Sequence, residues 1–221
     1  MELVAEVPKV RLVWITPDAE KTIAYCARVS NPANQDNENI SGLLAYCARK
    51  EHWSIFEMAS ACVEITTTRA IARQILRHRS FSFQEFSQRY AKAEQFAYAA
   101  ARRQDDKNRQ NSIDDLGDKD VEWWFQAQDQ LIESASTLYD YALHKGIAKE
   151  CARAVLPEGM MLTRMYMSGT IRSWLTYLRV RLGNGTQLEH RNVANLVFLT
   201  LRPELTNVMA AFNDFDEVRT S

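Results

Sequence analysis

Apolar positions recur along this chain with two periods, and the switches between them lay out the elements. Val10 to Ile15 reads as a short strand, followed by a helix start with Thr16 as cap and Pro17 at the first helical position. That helix runs to about Val29 and gives way to a polar loop from Ser30 to Asn39. Ser41 caps a second helix that ends near Lys50. Small and β-branched residues from Met58 to Thr67 predict a buried strand. The next helix is capped from among Thr66 to Thr68. At about 100° per residue it gathers Ile71, Ala72, Ile75 and Leu76 on one stripe and Arg73, Gln74 and Arg77 on the other flank. It stops near Arg77 or His78, because Arg79 would otherwise fall in the middle of the apolar stripe. Ser80 to Phe83 then alternates as an extended segment does.

The second half repeats the theme. A helix-like alanine-rich stretch after Tyr90 fades into Arg102 to Asp120, which reads as a long exposed polar loop. Val121 to Lys145 is a long amphipathic helix with Trp124, Leu131, Leu138 and Tyr141 as core candidates, ended by Gly146. Ala148 to Leu156 is a short helix stopped by Pro157, and Met160 to Met167 is a second strand able to pair with Met58 to Thr67. A helix to about Leu182 follows, with Ile171, Leu175, Leu178 and Leu182 as its stripe. Thr186-Gln187-Leu188-Glu189 has the spacing of a capping box for the next helix. A last helix after Pro203 directs Leu205, Val208, Met209 and Phe212 inward. Central strands among many helices predict an α+β fold, a mixed or antiparallel sheet flanked by helices.

Bulk properties narrow the partners. With 221 residues, 46% of them hydrophobic, the chain is expected to bury one core as a single domain over 1–221. A net charge of -1 gives no general pull toward nucleic acid or an anionic membrane. No signal peptide precedes Val10, and no apolar run is long enough to span a bilayer. Cys26, Cys47, Cys62 and Cys151 lack C-x-x-C spacing and read as reduced core thiols of a cytoplasmic protein. Four scattered histidines with no H-x-x-x-H pair predict no metal site. No glycine-rich phosphate loop is present, so a nucleotide-like ligand must be held by side chains.

The chemistry concentrates in Arg77-His78-Arg79-Ser80-Phe81-Ser82-Phe83-Gln84-Glu85-Phe86-Ser87-Gln88-Arg89. Guanidinium forks bind carboxylate or phosphate bidentately, and the phenylalanines supply walls for a planar ring. A second cluster, Glu51-His52-Trp53-Ser54-Ile55-Phe56-Glu57, stands at a strand entrance. Arg153 lies among apolar neighbours, an awkward place for a charge without an anion to meet it. Arg172 and Arg181, nine residues apart on one helix, lie about half a turn from each other around its axis, so either one is surface-exposed or the helix lies between two sites, as at a subunit interface. No serine sits in a nucleophile elbow. These residues predict more than one anionic ligand but no particular reaction. An Arg-aromatic module for a nucleotide polymer is the alternative, and it would show steep salt dependence.

The motif R-H-R, seven residues, then S-x-R is met by Arg77-His78-Arg79, Ser87 and Arg89. It resembles that of the flavin-dependent thymidylate synthases, and the likeness extends from Ala27-Arg28-Val29-Ser30 through Arg172 to Arg191. The resemblance implies a homotetramer with active sites at subunit interfaces, using FAD, NADPH and methylenetetrahydrofolate to convert dUMP to dTMP. It implies flavin contacts at Ser30, His52, Ser54, Arg77, His78, Arg79, Glu85 and Arg172. It implies dUMP contacts at Gln74, Arg77, Gln84, Glu85, Phe86, Ser87, Gln88, Arg89, Arg153 and Arg181. Thr170 and Thr176 stand where some members carry asparagine as a flavin or folate contact. Arg181, Arg172, His52 and Ser87 are the expected catalytic group. Ser87 is expected to position rather than to form a covalent adduct. Neither nucleic acid nor membrane is expected as a partner.

Overall fold

The computed structural model describes residues 2–3, 7–92 and 95–217, with 2–3 and 212–217 as backbone only. Phe212, expected in the core, therefore lies outside the described side chains. The strands are β1 (Glu2–Leu3), β2 (Lys9–Ile15), β3 (Ser60–Thr68), β4 (Ser82–Glu85), β5 (Gln95–Phe96), β6 (Arg103–Gln104), β7 (Ser112–Ile113) and β8 (Leu162–Thr170). The helices are α1 (Ala19–Ala27), α2 (Ser41–Arg49), α3 (Arg69–Ile75), α4 (Asp118–His144), α5 (Lys149–Ala152), α6 (Ile171–Arg181), α7 (Leu188–Leu201) and α8 (Thr206–Glu217).

The central sheet runs β2-β3-β8-β4, with every neighbour antiparallel. Its two middle strands are the two expected from the sequence, paired from Ser60↔Thr170 to Thr68↔Leu162. Each middle strand ends in a threonine that starts a helix. Thr68 Oγ1 accepts from Ile71 N at 3.4 Å, and Thr170 Oγ1 accepts from Ser173 N at 3.2 Å. Alternate residues of these strands (Val63 and Ile65, Met165 and Met167) bury against Ile71, Ile75, Trp174 and Leu178. A smaller core joins Phe96, Tyr139, Leu156, Met160 and Met161 beneath α4 and the turn after α5.

Gly169 fixes where the arginine-rich loop sits. A Cβ at Gly169 would lie 2.5 Å from Phe81 Cδ1, so the missing side chain is what lets the Phe81 ring lie on β8. That ring packs edge-on against Trp174 at 4.7 Å between centroids. Gly169→Ala should displace Phe81 and cost about 1–3 kcal/mol. Urea unfolding checks this, and an unchanged midpoint would show that Phe81 is not held there.

Several local expectations are corrected. Thr16 does not cap α1. Its hydroxyl accepts from Ser60 N at 2.9 Å and donates to Ser60 O, tying β2 to β3, while α1 starts at Ala19 after a left-handed Asp18. Ser41 is the first residue of α2 and makes no capping bond. The alanine-rich stretch is not helical in its described part, where β5 pairs with β1. Residues 102–120 are not one exposed loop. β6 and β7 form a hairpin, Arg103 grips Asp115, Arg102 is largely buried, and Asp118 already begins α4. Leu131, Leu138 and Tyr141 are 50%, 56% and 58% exposed, because the inward face of α4 is taken by Gln128, Ala135 and Tyr139. Gly146 does end that helix, at φ 81°. The capping box is absent at α7, where Thr186 Oγ1 donates to Val180 O and Glu189 turns to Arg102. All four cysteines are free. Cys47 and Cys62 are buried as expected, but Cys26 is half-buried and Cys151 exposed.

Candidate active site

Three groups of side chains, rather than one pocket, carry the expected chemistry. The first lies where the C-terminal ends of α3 and α6 meet. Arg181 Nε donates to His78 Nε2 at 2.9 Å, so that nitrogen is a bare acceptor and the imidazole is neutral. Burial, reinforced by the Arg181 charge, pushes His78 down to about 4. The ring stands edge-on to Tyr177 at 5.1 Å and to Phe81 at 6.4 Å. Arg77 and Arg79, on either side of His78, are exposed. Gln74 joins this group, facing Gln187 and the fully buried His190.

The second group follows β4. Glu85 accepts from Thr163 Oγ1 at 2.8 Å and pairs with Arg69 at 3.4 Å. Arg69 also reaches Glu158, which is paired with Arg73. Burial alone would raise the Glu158 carboxyl, but Arg73 and Arg69 hold it below the usual range. Gln84 is exposed opposite Tyr166 on β8, and Phe86 is half-buried. Ser87 Oγ accepts from Arg89 N at 3.4 Å, a turn bond. Gln88 is buried, and its Nε2 has no partner among the described residues. Arg89 pairs with Glu150 at 3.1 Å, beside the turn that carries Arg153.

The third group surrounds the start of α6. The turn from Trp53 to Glu57 is fastened to that helix at both ends. Arg172 pairs with Glu57, and Arg179 reaches Glu51 at 3.2 Å while lying over the Trp53 ring. His52 is exposed, edge-on to Tyr46 at 5.7 Å, with Ser54 exposed beside it. Thr170 spends its hydroxyl on the α6 cap and on Ser173 Oγ at 3.1 Å. Thr176 donates to Arg172 O at 3.0 Å from an exposed position. Ser30 is exposed at the start of a loop closed by buried Arg28, which donates to Asn37 O at 2.5 Å and Asn39 O at 2.7 Å.

Nine residues of helix rise separate Arg172 from Arg181, about 13 Å. The two do serve different neighbourhoods. The structure therefore unites His78, Arg181 and Gln74 and unites Glu85 to Arg89, but does not close these sets with His52 and Arg172 into one cavity. A cavity of about 350 Å³, lined in part by Thr66, Lys92, Thr163 and Arg164, takes in only Phe86 of the expected residues. Among the described residues no partner engages the guanidinium groups of Arg77, Arg79 and Arg153. Sequence reasoning assigned no role to Arg69, Tyr177 or His190. Arg69 carried a signal, since it follows the capping threonine directly, whereas the other two lie within ordinary helical patterning.

Fold and site define an α+β protein that presents arginine side chains on an open surface and has no glycine-rich phosphate loop. Residues 11–205 match the family model of the thymidylate synthase complementing protein. The flavin-dependent thymidylate synthase of Synechocystis sp. is 58% identical over 175 residues, 79% of this chain and 80% of that protein. The probable flavin-dependent thymidylate synthase of Paramecium bursaria Chlorella virus 1 is 56% identical over 179 residues, 80% of this chain and 82% of that protein. The fold is shared with the UMP/dUMP methylase PolB from Streptomyces cacaoi, solved with 5-Br dUMP, at a TM-score of 0.86 and 24% identity over 97% of each chain. The chain belongs to the thymidylate synthase complementing protein family, that of the flavin-dependent thymidylate synthases.

Proposed function

We propose that this chain catalyses the reductive methylation of dUMP, in which methylenetetrahydrofolate supplies the carbon and NADPH the reducing equivalents, yielding dTMP, tetrahydrofolate and NADP+. Within the family, the observation that carries the reading is the set of guanidinium groups unengaged among the described residues: Arg77 and Arg79 beside the neutral His78–Arg181 pair, and Arg153 on the turn after α5. Free cations on a surface of near-zero net charge suit discrete anionic ligands better than a polymer.

The residues present fit a flavin dinucleotide. Arg77 and Arg79 are exposed and open to a pyrophosphate. A bound flavin would supply hydride chemistry, with NADPH as the source of reducing equivalents. Arg172, His52, Ser54 and Ser30 orient the cofactor, together with Glu85. Arg172 must first exchange Glu57 for it. Arg89 and Arg153 neutralise the nucleotide phosphate, with Arg89 leaving Glu150 to do so. Arg181 directs its free Nη groups to the pyrimidine and stabilises the negative charge that develops as C5 becomes nucleophilic. Ser87 positions the loop and forms no covalent adduct, in keeping with its bond to Arg89 N.

The dispersal of these groups supports sites completed between subunits of a homotetramer. The apolar stripe of Leu131, Leu138 and Tyr141 on α4 is a surface such an assembly would cover. No helix of the described residues is long and apolar enough to cross a membrane, and the free thiols are consistent with a cytoplasmic enzyme. The test is visible absorption of the purified protein, then NADPH oxidation with and without dUMP. Flavin bands and oxidation quickened by dUMP are expected. A colourless protein that cannot be reconstituted with FAD would end this reading.

A further inference from the structure

Between α3, α7 and the β6–β7 hairpin, polar side chains form one hydrogen-bonded line. Arg102 Nε donates to Ser112 Oγ of the hairpin at 2.8 Å, and Arg102 Nη2 meets Glu189 Oε1 at 2.5 Å. Gln187 Nε2 donates to Glu189 Oε2 at 2.9 Å. Gln74 Nε2 donates to Gln187 Oε1 at 2.7 Å, and Gln74 Oε1 lies 3.2 Å from His190 Nδ1.

The sense of this line follows from its charged end. An ionised carboxylate only accepts, so Gln187 must give Glu189 its NH2 and turn its carbonyl to Gln74. Gln74 must then donate to Gln187 and offer its own carbonyl to His190, whose proton is thereby placed on Nδ1. His190 Nε2 is left as a buried acceptor with no partner among the described residues, and Tyr177 Oη is buried and unpartnered beside it. Burial would raise the Glu189 carboxyl, but the bonds from Arg102 and Gln187 hold it below the usual range. Protonated, Glu189 could donate as well as accept, and both glutamine amides would be free to turn over.

We infer that Arg102 and Glu189 are positioning residues for the nucleotide site: through Gln187 their ion pair fixes the amide of Gln74 so that it presents an N–H, not a carbonyl, to an acceptor oxygen of the nucleotide. This rests on the reading of Gln74 as a dUMP contact. It gives the hairpin a task, since Arg102 leads directly into β6 and is braced by Ser112 of β7. His190 closes the far end of the line, so the orientation is held from both sides.

The test begins with unaltered protein carrying 13C- and 15N-labelled histidine. At pH 7 His190 is expected as the Nδ1–H tautomer, and the Nε2–H tautomer would overturn the inference whatever the variants do. Glu189→Gln and Arg102→Met should raise the dUMP Kd about five- to tenfold, the effect of one misdirected hydrogen bond. Flavin content should hold and His190 should become a mixture of tautomers. Arg102→Lys, which keeps the charge, should recover most of the affinity; a merely structural role would move the melting temperature without moving the tautomer. Folded, flavin-loaded Glu189→Gln protein that binds dUMP as tightly as wild type removes this inference alone. Wild-type protein that binds flavin but not dUMP removes the functional reading and this inference with it.

Discussion

Replacing Arg181 by alanine is expected to lower kcat/KM for dUMP by about a hundred- to a thousandfold, the usual cost of removing a preorganised group aimed at developing charge. The structure explains why the loss should be so large. Arg181 Nε is committed to His78 Nε2 at 2.9 Å, which fixes the plane of the guanidinium and leaves its Nη atoms without partners among the described residues. The fork is therefore aimed before any ligand arrives, and no reorganisation is needed during the reaction. Lysine keeps the charge but lacks the planar fork that holds His78 on one edge and fixes the direction of the remaining donors, so Arg181→Lys should recover only part of the loss. Flavin content should fall less than kcat/KM in both variants, because Arg172 lies about 13 Å along the helix and Arg77 and Arg79 make no bond to Arg181. His78 should also become easier to protonate in the alanine variant, since the Arg181 charge acts with burial to suppress it. Steady-state kinetics with varied dUMP decide the matter. A fall of less than threefold would mean that Arg181 serves only to hold His78.

What could be read from the sequence was what depends on near neighbours in the chain. The two middle strands, the Thr68 cap, the Gly146 stop and the divergence of Arg172 from Arg181 all follow from spacing within a dozen residues. What could not be read depends on where remote segments land. Thr16 looks like a helix cap until Ser60, 44 residues away, takes its hydroxyl. Glu189 fits a capping box until Arg102, 87 residues away, outbids the local backbone with a full charge. Leu131, Leu138 and Tyr141 look like core because periodicity reports an apolar face without saying whether this chain or another covers it. The density of arginines in the motif was legible, and it is what suggested an anion site. The ion pairs of Arg172 with Glu57, Arg89 with Glu150 and Arg73 with Glu158 were not legible, because each joins distant parts of the chain.

The folded protein should lose stability as pH falls from about 6.5, well before its carboxylates protonate. Burial pushes His190 from 6.5 down to about 3, helped by the charges of Arg181 and His78, and His78 falls to about 4 through burial and Arg181. Both rings stay neutral in the fold while their unfolded counterparts take up protons near 6.5. Between those values the unfolded chain binds more protons, so stability is fully present above 6.5 and drains away as pH falls through 5 toward the folded pKa values. Each neutral histidine adds a slope of at most about 1.4 kcal/mol per pH unit in that window. Glu158 and Glu189 are held below their usual range, so they act in the same direction but at lower pH. The groups facing His190 are Gln74, Tyr177, His78 and Arg181. None of them offers a negative charge that would stabilise its protonated form. His190→Gln keeps a donor for Gln74 and removes the titration, so its unfolding free energy should vary with pH less steeply than that of wild type by about one proton. Urea unfolding at pH 7, 6 and 5 measures both slopes. Parallel slopes for wild type and variant would mean that His190 takes up its proton in the fold as readily as in the open chain, which a neutral ring buried beneath Arg181 should not do.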